Sequence, residues 1–128
     1  MARILIVDDN ADVLHVMQLL LGSRGFEVEV TTNGEETFNL VNAFQPSLIF
    51  LDVHLSGMDG RDISRQLKNT EETKHIPIIL FSANVIKGAT LDESLADDFV
   101  SKPFDIHELL QKINKLVNMD GNAETMTA

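Results

Sequence analysis

Apolar positions along this chain follow two rhythms: short unbroken runs rich in branched residues, and longer stretches where apolar side chains recur every three or four positions. Arg3–Val7 is the first short run and reads as a strand that stops at Asp8-Asp9. Val13, Leu14, Met17, Leu20 and Leu21 then recur at helical spacing, with Asn10 or Asp12 placed to cap the segment and Gly22 and Gly25 to end it. Phe26–Val30 alternates as a short strand. Asn33-Gly34 marks a turn, Phe38, Val41 and Phe44 keep helical spacing, and Pro46 stops that helix. Ser47–Asp52 is apolar without alternation, the pattern of a strand buried on both faces of a parallel sheet. A glycine-containing loop, Leu55–Gly60, leads into a helix with Ile63 and Leu67 on one face and Arg61, Arg65 and Lys68 elsewhere. Pro77 stands at the start of the next run, Ile76–Phe81, where its missing N–H does little harm. Asn84–Leu95 is predicted as a short, weakly amphipathic helix and Asp98–Ser101 as a brief strand. Asp105 caps the last helix, Glu108 sits at the capping-box position, and Ile106, Leu109, Leu110, Ile113, Leu116 and Val117 form its apolar stripe.

Five strands alternating with five helices predict an α/β fold, a doubly wound parallel sheet with helices on both faces. The order of strands within the sheet does not follow from their order in the chain. With 128 residues, 44% of them apolar, there is material for one core. The expected organisation is one domain over residues 1–118 and a flexible tail over 119–128. No apolar run approaches the roughly 20 residues of a membrane span, and no secretory signal precedes the first strand, so cytoplasm is the expected compartment. The absence of cysteine excludes disulfides, thiolate zinc sites and a thiol nucleophile. A net charge of -10 argues against direct binding to nucleic acid or to anionic membranes.

In sheets of this kind ligands collect at the carboxyl ends of the strands. Those ends carry Asp8-Asp9, Asp52, Ser82-Ala83 and Lys102-Pro103. Each has a duller reading: an Asp pair caps a helix, a serine is small, a Lys-Pro makes a turn. Together they would bring three carboxylates, a hydroxyl and an ammonium to one place. Carboxylates so close repel unless one holds a proton or a cation intervenes. Mg²⁺ suits such a site, since it takes oxygen ligands from one or two carboxylates plus a phosphate. A carboxylate beside it can attack phosphorus, with Lys102 and the Ser82 hydroxyl serving other faces of the transferred group.

These residues resemble the receiver domain of bacterial two-component response regulators, in its single-domain, chemotaxis-regulator-like form. The likeness covers about residues 3 to 117 and rests on four segments in order. They are Ile4–Asn10, Leu51–Gly60 with its Asp-x-x-x-x-Gly-Met-Asp-Gly run, Ile79–Ala83, and Ala96–Phe104 with its Lys-Pro. The resemblance implies a flavodoxin-like topology, Asp52 as phosphoacceptor, and Mg²⁺ held by Asp8, Asp9, Asp52 and the backbone carbonyl of His54. It implies that Ser82 and Phe99 are switch residues, that Ala83 and the His54 side chain border the phosphoryl pocket, and that Lys102-Pro103 is a cis bond. It implies a sensor histidine kinase or phosphotransfer protein as donor and an unidentified downstream protein as target. The chain would be a monomer or a phosphorylation-dependent dimer. The expected role is a signalling switch that catalyses only its own phosphorylation and dephosphorylation. Three departures stand out: Ser56 where the family usually has proline, Leu95 where glycine is common, and a shortened stretch between Ser82 and Lys102.

Two other functions compete. One is a Mg²⁺-dependent phosphatase with an aspartyl-phosphate intermediate, which would want a general acid at position 54, where the chain has His. The other is a pseudo-receiver scaffold that is never phosphorylated. His15, His75 and His107 are scattered and are expected at the surface.

Overall fold

The computed structural model describes residues 2–83 and 92–119. The elements are β1 (Arg3–Val7), α1 (Ala11–Gly22), β2 (Glu27–Thr31), α2 (Thr37–Phe44), β3 (Leu48–Asp52), β4 (His54–Leu55), β5 (Met58–Asp59), α3 (Gly60–Lys68), β6 (Ile78–Ser82), β7 (Asp98–Ser101) and α4 (Ile106–Met119). Five strands form one sheet in the order β2-β1-β3-β6-β7, every neighbouring pair parallel. This is the α/β architecture with flavodoxin-like topology that the pattern and the resemblance led us to expect.

The unbroken apolar runs have a direct cause. Successive side chains of a strand point to opposite faces, so a strand covered on both sides needs apolar residues at every position. Ile4, Ile6, Leu48, Phe50, Ile79 and Phe81 pack with Leu14, Met17 and Leu21 of α1 and Leu109, Ile113 and Leu116 of α4. Leu5, Val7, Ile49, Leu51, Ile78 and Leu80 form the other layer with Val41 of α2 and Ile63 and Leu67 of α3. Each such side chain contributes roughly 1.5–3 kcal/mol by leaving water.

Local signals set the ends of the elements. Asn10, rather than Asp12, caps α1, its side chain accepting from the N–H groups of Asp12 and Val13. Asp105 accepts from the N–H of His107 at the start of α4. Pro77 lies one residue before β6, where its carbonyl accepts from Ile49 N. His15, His75 and His107 are exposed, as expected.

One feature differs from the expectation. The stretch after β3 holds a two-residue antiparallel hairpin, β4 against β5, pairing His54 with Asp59 and Leu55 with Met58. Strands of two residues carry no readable periodicity. Of the helix expected over Asn84–Leu95, residues 84–91 lie outside the described residues, as do 120–128 of the tail; residues 92–94 are helical.

Leu95 ends that helical stretch with φ +63, a left-handed conformation, and its side chain is largely exposed. A branched L-residue there is strained by about 1–2 kcal/mol, a penalty that glycine does not carry. Leu95→Gly is therefore expected to stabilise the protein by about 0.5–1 kcal/mol after the entropy cost of glycine. An unchanged or lower urea midpoint would count against this account.

Candidate functional site

The topology decides where the strand ends meet. From β1 the chain runs outward to β2, then returns across β1 to β3, so β1 and β3 lie side by side at the point where strand order reverses. Such switch points open a crevice beyond the carboxyl ends. Asp8 follows β1 and Asp52 ends β3, both fully or nearly fully buried, and Asp9 beside them is exposed. One ligand atom from each of Asp8, Asp9 and Asp52 lies within 4.8 Å of the others, and this is the one such acidic group among the described residues.

Lys102 follows β7 and reaches back over the sheet. Its Nζ donates to Asp8 Oδ2 at 2.7 Å and to Asp52 Oδ2 at 3.4 Å. The ammonium also sits 4.7 Å from the centre of the Phe81 ring, a cation–π contact that steers the stem. The Lys102-Pro103 peptide is cis, as the resemblance implied. Lys102 N donates to the carbonyl of Ser82, and Ser82 pairs in register with Ser101. Ser82 is buried and Ala83 is exposed at the same edge. Phe99, on β7, is half-buried against the α2–α3 side of the core.

The carboxylates are held by their own loops. Asp8 Oδ1 accepts from Asn10 N at 2.8 Å, and Asp52 Oδ1 accepts from His54 N at 3.3 Å. Burial, with the Asp8 charge adding to it, raises the Asp52 carboxyl from 3.8 to about 6, against the opposing pull of Lys102 and the His54 N–H. One ammonium does not neutralise this cluster.

Three contacts were not readable in the sequence. Gly60, expected to serve loop geometry, begins α3 directly against β3: an added Cβ would lie 2.0 Å from the Asp52 carbonyl oxygen. Asp59 caps α3 and grips Arg61 through both carboxylate oxygens. Lys68, at the far end of α3, pairs with Asp97 at 2.7 Å and donates to the Ile76 carbonyl. Of these, the Asp59-Gly60-Arg61 spacing alone is local enough to leave a trace along the chain.

The model of the response regulator receiver domain family matches residues 4–114. The chain belongs to the response regulator receiver domain family. This is a family of signalling switches rather than of enzymes acting on a separate substrate, and the Asp8–Asp9–Asp52 cluster fits phosphoaspartate signalling. Among its relatives, the DNA-binding dual master transcriptional regulator RpaA of Synechocystis is 33% identical over 91% of this chain and 49% of its own length. The chain spans about half the length of the curated relatives it matches first. The response regulator TrrA of Thermotoga maritima, solved in complex with Mg²⁺-BeF, is 30% identical with a TM-score of 0.81, over 91% of this receiver and 99% of that chain. A signal receiver domain of a histidine kinase from Syntrophus aciditrophicus is also 30% identical, with a TM-score of 0.82, covering 92% of this receiver and 91% of that chain. No helix among the described residues of this receiver is long and apolar enough to cross a membrane.

Proposed function

We propose that this receiver accepts a phosphoryl group on Asp52 from the phosphohistidine of a sensor histidine kinase or phosphotransfer protein, and that it signals by changing its protein-binding face. One observation carries the reading: a buried carboxylate at the end of β3 stands beside two more and within reach of Lys102.

The donor set fits a hard divalent cation. Its ligands are all oxygen, and the Asp52 carboxyl is held near 6 by burial and by the Asp8 charge, repulsion that a cation would relieve. We assign Mg²⁺ to Asp8, Asp9 and Asp52, with the His54 carbonyl as the further protein ligand. When bound, the ion would neutralise the charge that builds on the transferred oxygens.

The remaining steps belong to the chain. An Asp52 oxygen attacks phosphorus, the P–N bond to the donor imidazole breaks, and its electron pair leaves with the nitrogen. Lys102 turns from Asp8 and Asp52 to a phosphoryl oxygen. Ala83, exposed and small, leaves room for the group, and the His54 side chain borders it. The Ser82 hydroxyl moves to a second phosphoryl oxygen, and Phe99, half-buried on the neighbouring strand, swings inward. The surface around β7 and α4 then favours a different protein partner, a shift between two packings. We read residues 1–118 as the receiver unit, 119–128 as a tail, the cytoplasm as its compartment, and the working state as a monomer or a phosphorylation-dependent dimer.

The test is intact mass after incubation with acetyl phosphate, with and without Mg²⁺. One added phosphoryl group that requires Mg²⁺ is expected. No adduct, together with no binding of beryllofluoride, would defeat the reading and leave a scaffold.

A further inference from the structure

The hairpin β4–β5 connects Asp52 to α3 and carries His54, so its orientation governs what the site can present. Little holds it. Each strand is two residues long, Gly57 turns it with φ +75, and Leu55 is its one buried side chain. Two-stranded ribbons of this size are not stable alone. Ser56, beside Gly57 at the turn, is exposed and adds no buried contact.

A specific clamp closes its far end. Asp59 lies opposite His54 in the ribbon. Its Oδ1 accepts from Arg61 N at 2.8 Å and from Arg61 Nε at 2.9 Å, and its Oδ2 accepts from Arg61 Nη2 at 2.6 Å. Gly60 N donates to the Val53 carbonyl at 2.8 Å and seals the same junction. The two-pronged fork fixes the plane of the Asp59 carboxylate in a way that one hydrogen bond cannot.

We propose that Arg61 is a positioning residue: its fork on Asp59 holds the strand opposite His54 and so aims the His54 backbone at the Asp8–Asp9–Asp52 cluster. This rests on the reading of that cluster as the Mg²⁺ and phosphoryl site. Both side chains are about one-third exposed, at 36% and 34%, so the pair adds little to global stability. Its effect is on geometry. The Arg61 guanidinium also holds the Asp59 carboxyl below the usual carboxylate range, chiefly by hydrogen bonding, so the fork persists at neutral pH. The carboxylates facing Arg61 are Asp59, Asp62 and Glu93.

Charge and geometry predict opposite results, which makes the test sharp. Removing a cation near a Mg²⁺ site should tighten Mg²⁺ binding by simple electrostatics. Loss of positioning should loosen it. We would titrate Mg²⁺ into wild type, Arg61→Ala and Arg61→Lys by calorimetry. In parallel, the rate of phosphoryl addition from acetyl phosphate would be followed by intact mass across Mg²⁺ concentrations. Arg61→Ala is expected to raise the half-saturating Mg²⁺ concentration about tenfold, the scale of supporting residues around metal sites, with the maximal rate and metal-free melting nearly unchanged. Arg61→Lys keeps the charge without the fork and is expected to shift it several-fold in the same direction; it carries the test if the alanine variant does not fold. Equal or tighter Mg²⁺ binding in the variants, on a wild type that responds normally, would overturn the positioning role alone. A wild type that neither binds Mg²⁺ nor gains the phosphoryl group would overturn the site reading, and this inference with it.

Discussion

In metal-free buffer at pH 7.5, Asp52→Asn is expected to melt several degrees above wild type, and the advantage is expected to vanish towards pH 4. The Asp52 carboxyl is raised from 3.8 to about 6 in the folded protein, by burial first and by the Asp8 charge second. A raised carboxyl pKa means that the fold binds the proton more tightly than the unfolded chain does. Any stability linked to Asp52 is therefore fully present below pH 3.8 and is lost as pH rises through about 6. Above that, the ionised carboxylate destabilises the metal-free fold by about 1–3 kcal/mol. Asparagine mimics the neutral acid and escapes the penalty, which at this chain length corresponds to roughly 3–10 °C. Mg²⁺ should reverse the ranking by stabilising wild type and leaving the variant nearly unmoved. The same variant should gain no phosphoryl group from acetyl phosphate. Parallel melting curves at pH 7.5 and pH 4, with and without Mg²⁺, check all of this. A variant less stable than wild type at pH 7.5 without metal would show that the Lys102 contact outweighs the repulsion.

Among the described glycines, Gly60 is expected to tolerate alanine least. The added methyl would meet the Asp52 carbonyl oxygen at 2.0 Å and the carbonyl carbon at 2.9 Å, both backbone atoms of the central strand β3. Neither can rotate away as a side-chain tip could. Relief requires α3 to move from the sheet, which opens the contacts of Ile63 and Leu67 and pulls on Asp52 itself. The expected loss is at least ~3 kcal/mol, in the range reserved for forced repacking of a core. Gly57→Asn is the control: its φ is +75, but no heavy atom lies within 4 Å of the added Cβ, and asparagine tolerates that conformation. It should cost less than ~1 kcal/mol. Urea unfolding of the two variants separates close approach from backbone freedom; equal losses would mean that contact with β3 is not what demands glycine.

Periodicity and capping are local properties, and they were legible. Unbroken runs such as Ser47–Asp52 announced a sheet covered on both faces, and Asn10 or Asp12, and later Asp105, announced helix starts, because each signal is complete within a few residues. The four strand-end segments also pointed to the site, since a sheet brings its strand ends to one edge whatever the order of strands. Contacts across the chain were another matter. Lys102 and Asp8 are 94 residues apart, and their 2.7 Å pairing depends on the order β2-β1-β3-β6-β7, which no local pattern encodes. The burial that raises Asp52, the Phe81 ring beneath Lys102, the approach of Gly60 to β3 and the fork that Arg61 makes on Asp59 all arise where separate elements or a short loop meet. Which polar residues terminate the strands can be read along the chain, because each terminator adjoins its strand. How close they stand, how dry they are and what supports them came from the fold, because distance and desolvation are set by packing between elements, and packing is not a property of any one of them.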